Sequence, residues 1–253
     1  MLKVCTYNVN SIRKRLHVVL PLMERVDILC MQETKVEDRK FPEADFHVKG
    51  YHVVFSGGKA RNGVAIASKV EADEYFSGMD GERDRVIAAR FGRLWVINVY
   101  APQGQSIDSE QYRYKLEFFK KLKNFLSDFV DFDSYYLLCG DMNVAPEDID
   151  VHSPDKLRNH VCFHEDAKRA FKEVVQLGFV DLLRKHRPNE RIYTFYDYRV
   201  KEAVKRGLGW RVDHILATKK LAEKSKDCYV LLEYRTIEKP SDHVPLVAEF
   251  EKI

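Results

Sequence analysis

The run Tyr135-Tyr136-Leu137-Leu138-Cys139 is apolar enough for a buried strand, yet it stops at Gly140 and delivers Asp141 and Asn143 in the tetrapeptide Gly140-Asp141-Met142-Asn143. The pattern recurs: residues 2–7 end at Asn8, 28–32 at Glu33 and 95–99 at Tyr100, while Ser241-Asp242-His243 directly precedes a strand-like stretch at 245–250. Ligands of open α/β sheets gather at strand ends, where a rigid sheet aims side chains into a shared crevice. A lone Asp after an apolar strand is ordinarily a helix cap or a turn residue. Repeated endings that supply acids, amides and a His are different, because those groups hold a hard cation and move a proton. The repetition therefore points to one catalytic site.

The chain of 253 residues is long enough for a sizeable core, and no linker-like or low-complexity stretch divides it, so one domain over 1–253 is expected. The strand-then-polar pattern in both halves hints at a pseudo-symmetric architecture. The five cysteines lack paired metal spacing, and Cys5, Cys30 and Cys139 fall inside strand candidates, as small core residues do. The chain opens on a strand pattern instead of a leader-like segment and nowhere holds about 18 consecutive apolar residues. A soluble, intracellular (cytoplasmic) protein with no membrane partner is the expectation.

A net charge of +3 excludes a uniformly basic surface, so any polyanion site must come from local clustering. Arg199, Lys201, Lys205, Arg206 and Arg211 have Glu202 as the only acid among them, and Gly207 and Gly209 mark a loop beside Trp210. Arg113, Lys115, Lys120, Lys121 and Lys123 form a second group, but Tyr112, Leu116, Phe119, Leu122 and Leu126 make that stretch an amphipathic helix with the lysines on its wet face.

Alternating elements are expected: helices at 11–23 (kinked or ended by Pro21), 109–130 and 165–177, and strands at 53–55, 64–67, 86–91 and 94–100. Residues 192–196, 213–217 and 228–234 read as extended. Only a Gly-containing turn separates 86–91 from 94–100, so part of the sheet is antiparallel and a purely parallel doubly wound sheet is disfavoured. In chemical terms, Glu33 and Asp242 are suitable hard ligands for Mg²⁺, and His243 could act on a proton or a phosphate; a lone His in such a loop is often merely structural, and adjacent Asp242 with an orienting Asp213 would favour the catalytic role. Phosphodiester hydrolysis needs an activated water, neutralised phosphate oxygens and a stabilised leaving oxygen, and these residues can serve each need.

Six motifs, in order, cover essentially the whole chain: Cys5-Thr-Tyr-Asn-Val-Asn-Ser-Ile-Arg13, Leu29-Cys-Met-Gln-Glu-Thr-Lys35, Asn98-Val-Tyr-Ala-Pro-Gln-Gly104, Gly140-Asp-Met-Asn-Val-Ala-Pro146, Gly209-Trp-Arg-Val-Asp213 and Ser241-Asp-His-Val-Pro-Leu246. Together they resemble the signature of exonuclease III-type apurinic/apyrimidinic endonucleases; any one alone would point only to the wider endonuclease/exonuclease/phosphatase superfamily. The resemblance implies a four-layer α/β sandwich, two mixed sheets packed face to face and flanked by helices. It also implies that Glu33 is the principal metal ligand, with Asp242 and Asn10 near the metal sites, for Mg²⁺ with Mn²⁺ as the alternative. His243 would pair with Asp213, while Asp141 would prepare the attacking water or protonate the leaving group. Asn143 and Asn8 would hold water and phosphate oxygens, and Tyr100 would contact the phosphate. Whether Asp141 or His243 is the base, and whether one or two metals act, stays open.

The segment Tyr193-Thr-Phe-Tyr-Asp-Tyr-Arg199 followed by Gly209-Trp-Arg-Val212 is similar to the family's pocket for a flipped abasic sugar, with Phe195, Trp210 and Val212 as apolar walls. Arg199, Arg206, Lys35 and Arg13 are the further substrate-binding candidates, although Arg199 stands where relatives carry an apolar residue. The implied activity is incision of double-stranded DNA on the 5′ side of an abasic site by a monomeric repair enzyme, with 3′-to-5′ exonuclease and 3′-end trimming. A less selective nuclease or small-ligand phosphatase of the same superfamily is the alternative enzyme. The alternative of another class, a non-catalytic binder of damaged DNA, is opposed by the full acid, amide and His set.

Overall fold

The computed structural model describes residues 1–58, 61–251 and 253. The first half of the chain forms β1 (Leu2–Asn8), α1 (Ile12–Arg25), β2 (Ile28–Gln32), α2 (Glu43–Val48), β3 (His52–Ser56), β4 (Val64–Ser68), β5 (Glu74–Ser77), β6 (Val86–Phe91) and β7 (Leu94–Tyr100). The second half adds α3 (Glu110–Phe129), β8 (Tyr135–Asp141), α4 (Pro154–Leu157), α5 (Glu165–Val175), β9 (Phe179–Asp181), α6 (Leu182–His186), β10 (Asp213–Thr218), α7 (Lys219–Ala222), β11 (Ser225–Val230) and β12 (Leu246–Phe250).

The strands make two six-stranded sheets, ordered β11-β12-β1-β2-β4-β3 and β5-β6-β7-β8-β10-β9. Each has one parallel pair at its centre, β1 with β2 and β7 with β8, flanked by antiparallel neighbours. A parallel pair needs a crossover, and the amphipathic helices α1 and α3 supply the two. The repetition in the sequence thus becomes two sheets of matching layout. Their inner faces share a core that includes Val4, Ile28 and Cys30 from one sheet and Val96, Leu137, Cys139 and Ile215 from the other. Outer faces are covered by α1 on the first sheet and by α3 and α5 on the second. The layers run helix, sheet, sheet, helix, as the resemblance implies.

Between the sheets the apolar core is interrupted just beneath the strand ends. Asn98 of β7 donates to the carbonyls of Met31 (2.9 Å) and Ala65 (3.0 Å) across the gap, and Gln32 donates back to Asn98 (2.6 Å) and to Thr6 Oγ1 (2.9 Å). A buried polar group is tolerated when it is satisfied, and these bonds fix the two sheets in register with each other.

Some expectations are corrected. Helix α1 runs through Pro21 to Arg25, since Pro21 and His17, whose carbonyl loses its helical partner, are both exposed to water. Residues 192–196 form no strand beyond isolated bridges of Phe195 with Trp210 and His243, because the Thr194 hydroxyl takes the N–H groups of Val212 and Asp213. The extended stretch at 228–234 stops at Val230, where its partner β12 begins at Leu246, and Leu232–Arg235 turns into a 3₁₀ helix. The short edge strands β5 and β9 carry too little pattern to be read. Lys115 is not on the wet face of α3 but fully buried.

Behind β10 lies a buried ionic cluster. Arg211 donates to Asp150 (2.6 and 3.1 Å) and Asp181 (2.7 Å), Arg184 reaches the same Asp150 carboxylate, and His214 ties the group to the Val144 carbonyl (2.8 Å). Burial pushes the Asp150 and Asp181 carboxyls up, but the Arg211 guanidinium outweighs it and holds both below the usual range. Groups depressed in the fold add stability that is complete above the ordinary carboxylate pKa and drains away as pH falls through the depressed values. Asp150→Asn, which strands a buried guanidinium, should cost about 3–5 kcal/mol at pH 7, roughly 10 °C in Tm for a chain of this size. The Tm gap to wild type should narrow below about pH 4; thermal melts with a gap constant from pH 7 to 3 would reject this account.

Candidate active site

Both parallel pairs point their C-terminal ends the same way, and the polar residues after those strands meet there. Asn8 closes β1 and Glu33 follows β2, while Tyr100 and Asp141 close β7 and β8. Strand β10 runs antiparallel to β8, so its first residue, Asp213, lies opposite Asp141. The 241–243 segment enters from the loop before β12, and Phe195 bridges to His243.

Gly140 makes the exit from β8 possible: at φ +137° it lies flat on β7, where a Cβ would stand 1.9 Å from the Val99 carbonyl oxygen. Asn10, Ser11, Glu33, Lys35 and Asn143, five of the nine non-glycine residues with positive φ among the described residues, sit at this rim. Such backbone is costly and persists where the surroundings over-determine it, as at active sites.

Asn8 is the hinge of the polar network. Its Nδ2 donates both to Glu33 Oε1 (2.9 Å), carried by its own sheet, and to Asp141 Oδ2 (2.8 Å), carried by the other. Asp141 Oδ1 accepts the Asn143 backbone N–H (3.0 Å), and the Asn143 amide donates to the Ala101 carbonyl (2.9 Å). Asp213 Oδ2 holds His243 Nδ1 at 2.7 Å and leaves Nε2 3.7 Å from Asp141 Oδ2. Burial alone would depress the His243 pKa, but the Asp213 and Asp141 carboxylates override it and hold it up at about 10. Burial and the Asp213 charge push Asp141 up, against the pull of His243. Burial also raises the Tyr100 hydroxyl, helped by the Glu33 and Asp141 charges.

Asp141, Asp213 and His243 bring ligand atoms within 4.8 Å of one another, a spacing that would admit a metal. The short hydrogen bond to Asp213 already occupies Nδ1, so the trio reads better as a proton-handling unit. A better cation seat lies beside it. Glu33 Oε2 and Asn10 Oδ1 converge on the Lys35 ammonium at 2.8 and 2.6 Å, and Asn10 Nδ2 donates to Asp242 Oδ1 (3.1 Å). Burial would raise the Glu33 carboxyl, yet the Lys35 and Asn8 hydrogen bonds keep it below its ordinary value. These oxygen donors suit a hard divalent ion, with Glu33 and Asp242 as its carboxylates and Asn10 as a link between Asp242 and Lys35.

Glu33, Tyr100, Asp141, Asn143, Asp242 and His243 all line one cleft of about 500 Å³, whose far wall is Phe195, Trp210 and Val212. Phe195 packs on His243 with ring centroids 5.0 Å apart, and Trp210 packs on His160 at 4.5 Å. Arg199 stands at the rim, its side chain 90% exposed and clamped on Asp197 at 2.6 and 3.0 Å. Arg206 caps the Lys201 carbonyl and Arg13 lies exposed on α1; neither lines the cleft. A neighbouring hollow of about 490 Å³ shares Glu33, Tyr100 and Gln103 with the cleft and adds Lys35, Arg61 and Arg85. The local positive clustering that the modest net charge requires is therefore found here, on residues scattered through the sequence.

Sequence reasoning missed several residues of the site. Arg15 donates to the Asn10 carbonyl, to Tyr198 Oη (3.0 Å) and to the Pro240 carbonyl (3.0 Å), joining the two loops that carry Asn10 and Asp242. His160 and Cys162 come from an irregular stretch with no pattern to flag them. Lys115 had a signal, since it falls between Tyr112 and Phe119 on the apolar stripe of α3.

The model of the Endonuclease/Exonuclease/phosphatase family matches residues 5–243. Exodeoxyribonuclease III of Haemophilus influenzae is 35% identical, covering 99% of this chain and 100% of that protein. Among solved structures, an AP endonuclease from Archaeoglobus fulgidus shares 63% identity with a TM-score of 0.98, each chain covered completely. A 3′ phosphatase from Neisseria bound to a product DNA hairpin shares 38% identity with a TM-score of 0.95, again over 100% of both chains. With its six motifs, its paired sheets and these matches in agreement, the chain belongs to the endonuclease/exonuclease/phosphatase family, in the exonuclease III-type apurinic/apyrimidinic endonuclease branch.

Proposed function

We propose that this protein is a Mg²⁺-dependent DNA-repair hydrolase that cuts the backbone on the 5′ side of an abasic site, leaving a 3′-hydroxyl and a 5′-deoxyribose phosphate, and that it also trims 3′ ends as an exonuclease. One observation carries the reading: Asp141 and His243, the latter backed by buried Asp213, line a single cleft together with the apolar wall of Phe195, Trp210 and Val212. Phosphate chemistry alone has no use for that wall. A sugar without its base does, since an extruded damaged nucleotide is cheap to unstack and a small pocket rejects an intact one. The names of the relatives, which include an exodeoxyribonuclease and an AP endonuclease, support the same substrate class.

A divalent ion held by Glu33 and Asp242 would supply charge neutralisation at the phosphate. The chain's own groups divide the proton work by their acidity. Pinned by Asp213 and held charged to about pH 10, His243 is an imidazolium at neutral pH, suited to donate from Nε2 to a phosphate oxygen and unsuited to take a proton. Asp141, raised towards neutrality and fixed by Asn8 and the Asn143 N–H, is placed to accept the proton of the attacking water. Asn8 holds the Asp141 carboxylate in place from below (2.8 Å), and Asn143 and Tyr100 line the same cleft. The phosphatase alternative is separated by one assay comparing an abasic duplex, an intact duplex and an inositol phosphate, each with Mg²⁺ or EDTA.

Three variants test the assignment. Glu33→Gln removes a ligand charge while keeping shape, so most metal-dependent turnover should vanish with the fold intact; an unaltered Mg²⁺ titration would take Glu33 out of the site. In Asp213→Asn, loss of the carboxylate that raises both His243 and Asp141 should move the basic and the acidic limb of the pH–rate profile to lower pH, and limbs that stay put would refute the assigned roles. Trp210→Ala should lower the abasic-to-intact cleavage ratio more than it changes metal affinity, with melting measured in parallel to expose a cavity effect. An unchanged ratio in a folded variant would free Trp210 from any part in substrate choice.

A further inference from the structure

Lys115 is a lysine with 0% exposure in the second turn of α3, and among the described residues no carboxylate hydrogen-bonds to it. Its ammonium donates to three backbone carbonyls, Gln103 (3.0 Å), Asn143 (2.6 Å) and Val161 (2.8 Å), so its three donors meet three acceptors. A buried charge is costly, and a Met or Leu at this point of the apolar stripe would serve helix packing at lower cost. What the ammonium gains is access to three separate segments. Gln103 lies on the loop after β7, Asn143 on the loop after β8, and Val161 between His160 and Cys162; Gln103, Asn143, His160 and Cys162 all line the catalytic cleft. Pairwise bonds already link these segments, the Ala101 N–H to the Asp141 carbonyl (2.9 Å), Asn143 Nδ2 to the Ala101 carbonyl (2.9 Å) and the Ala145 N–H to the Cys162 carbonyl (2.7 Å), and Lys115 bonds all three at one point. Gly104 makes the contact possible: at φ +107° it passes over the helix where a Cβ would stand 3.0 Å from the Tyr112 ring and 3.3 Å from Lys115 Cδ.

We propose that Lys115 is a positioning residue for the incision reaction: from beneath the cleft its ammonium sets the height of Asn143, and with it the Asp141 carboxylate that the Asn143 N–H holds, relative to the wall that bears His160 and Cys162. This rests on the incision reading above. Asn143 is the sensitive link, because one residue accepts Lys115 on its carbonyl and donates its N–H to Asp141 Oδ1 at 3.0 Å. Loss of the ammonium leaves three buried carbonyls to find new partners, and a shift of about 1 Å in a catalytic group is enough to cost on the order of a hundredfold in rate.

The test measures single-turnover incision of an abasic duplex and affinity for it in wild type, Lys115→Met, Lys115→Gln and, as a control on the same helix, Lys123→Met, each assayed well below its own melting temperature. Lys115→Met should lose about a hundredfold in kcat with affinity within about threefold. Lys115→Gln, which keeps an N–H donor, should recover part of the loss, and Lys123→Met should match wild type. In Lys115→Ala, methylammonium should restore rate where tetramethylammonium, which has no N–H to donate, does not at equal ionic strength. The proposal is overturned if the folded Lys115 variants keep kcat within about threefold of wild type, if their loss lies in affinity, if both amines act alike, or if no substitution at 115 yields a folded protein. Wild type that fails to incise the abasic duplex would instead sink the functional reading itself, so the two failures are distinct.

Discussion

A single side-chain amide joins the two halves of the reaction. Asn8 Nδ2 has two hydrogens and spends them on carboxylates from opposite sheets, Glu33 at 2.9 Å and Asp141 at 2.8 Å. Two acids this close repel unless something positive or hydrogen-donating lies between them, and their remaining partners divide the pair into different roles. Glu33 also has Lys35 and stays acidic; Asp141, buried beside Asp213, is pushed up towards neutrality. Under the proposed function, environment alone would make one carboxylate a cation ligand and the other a proton acceptor. The contact requires the β1 and β8 ends to stay in register, which is what the Asn98 and Gln32 bonds between the sheets secure one layer below.

The supports beneath the site share a logic. An apolar core alone would hold two sheets together without fixing how one slides over the other, because hydrophobic burial is non-directional. Directional bonds are therefore placed where sliding would blur the catalytic geometry. The Asn98 group sits between the sheets, the Arg211 cluster behind β10 and Lys115 beneath the loops after β7 and β8. Each is buried; Asn98 and Arg211 stand within two residues of a group in the cleft, and Lys115 hydrogen-bonds the backbone of two such groups, Gln103 and Asn143. The left-handed backbone at Asn10, Glu33, Lys35 and Asn143 belongs to the same design, since strain survives only where neighbours allow no relaxation.

What the sequence made legible follows from the range of its signals. Period and polarity located the central strands and the long helices, because burial on both faces leaves continuous apolar runs such as 135–139 and amphipathic packing leaves a stripe such as that of α3. Polar residues that end those strands were legible for the same reason, and the structure gathers Glu33, Tyr100, Asp141 and His243 in one cleft with Asn8 and Asp213 buried behind them. Illegible were groups whose role depends on partners distant in sequence. Arg15 ties loops more than two hundred residues apart (|i−j| = 225 to Pro240), and Arg61 and Arg85 are ordinary surface cations until folding sets them beside Glu33. Lys115 shows two signals in conflict: its charge argues for water, whereas its place in the stripe at 112, 115, 116 and 119 argues for burial, and burial prevails.

Selectivity and reactivity are coupled through Phe195. Its ring packs on His243 and its backbone bridges both His243 and Trp210, so the apolar wall and the charged imidazole form one rigid surface. A tilted ring packed on the imidazole shields one side of it from water, and under the proposed function an ion in a drier environment would interact more strongly with a phosphate. A substrate that fills the space beside Phe195 and Trp210 would complete that exclusion, whereas one too bulky to enter would leave the cleft itself filled with water. Under the proposed function, then, the pocket discriminates twice from the same atoms: by admitting a bare sugar, and by making the acid–base pair most effective only when that sugar is in place.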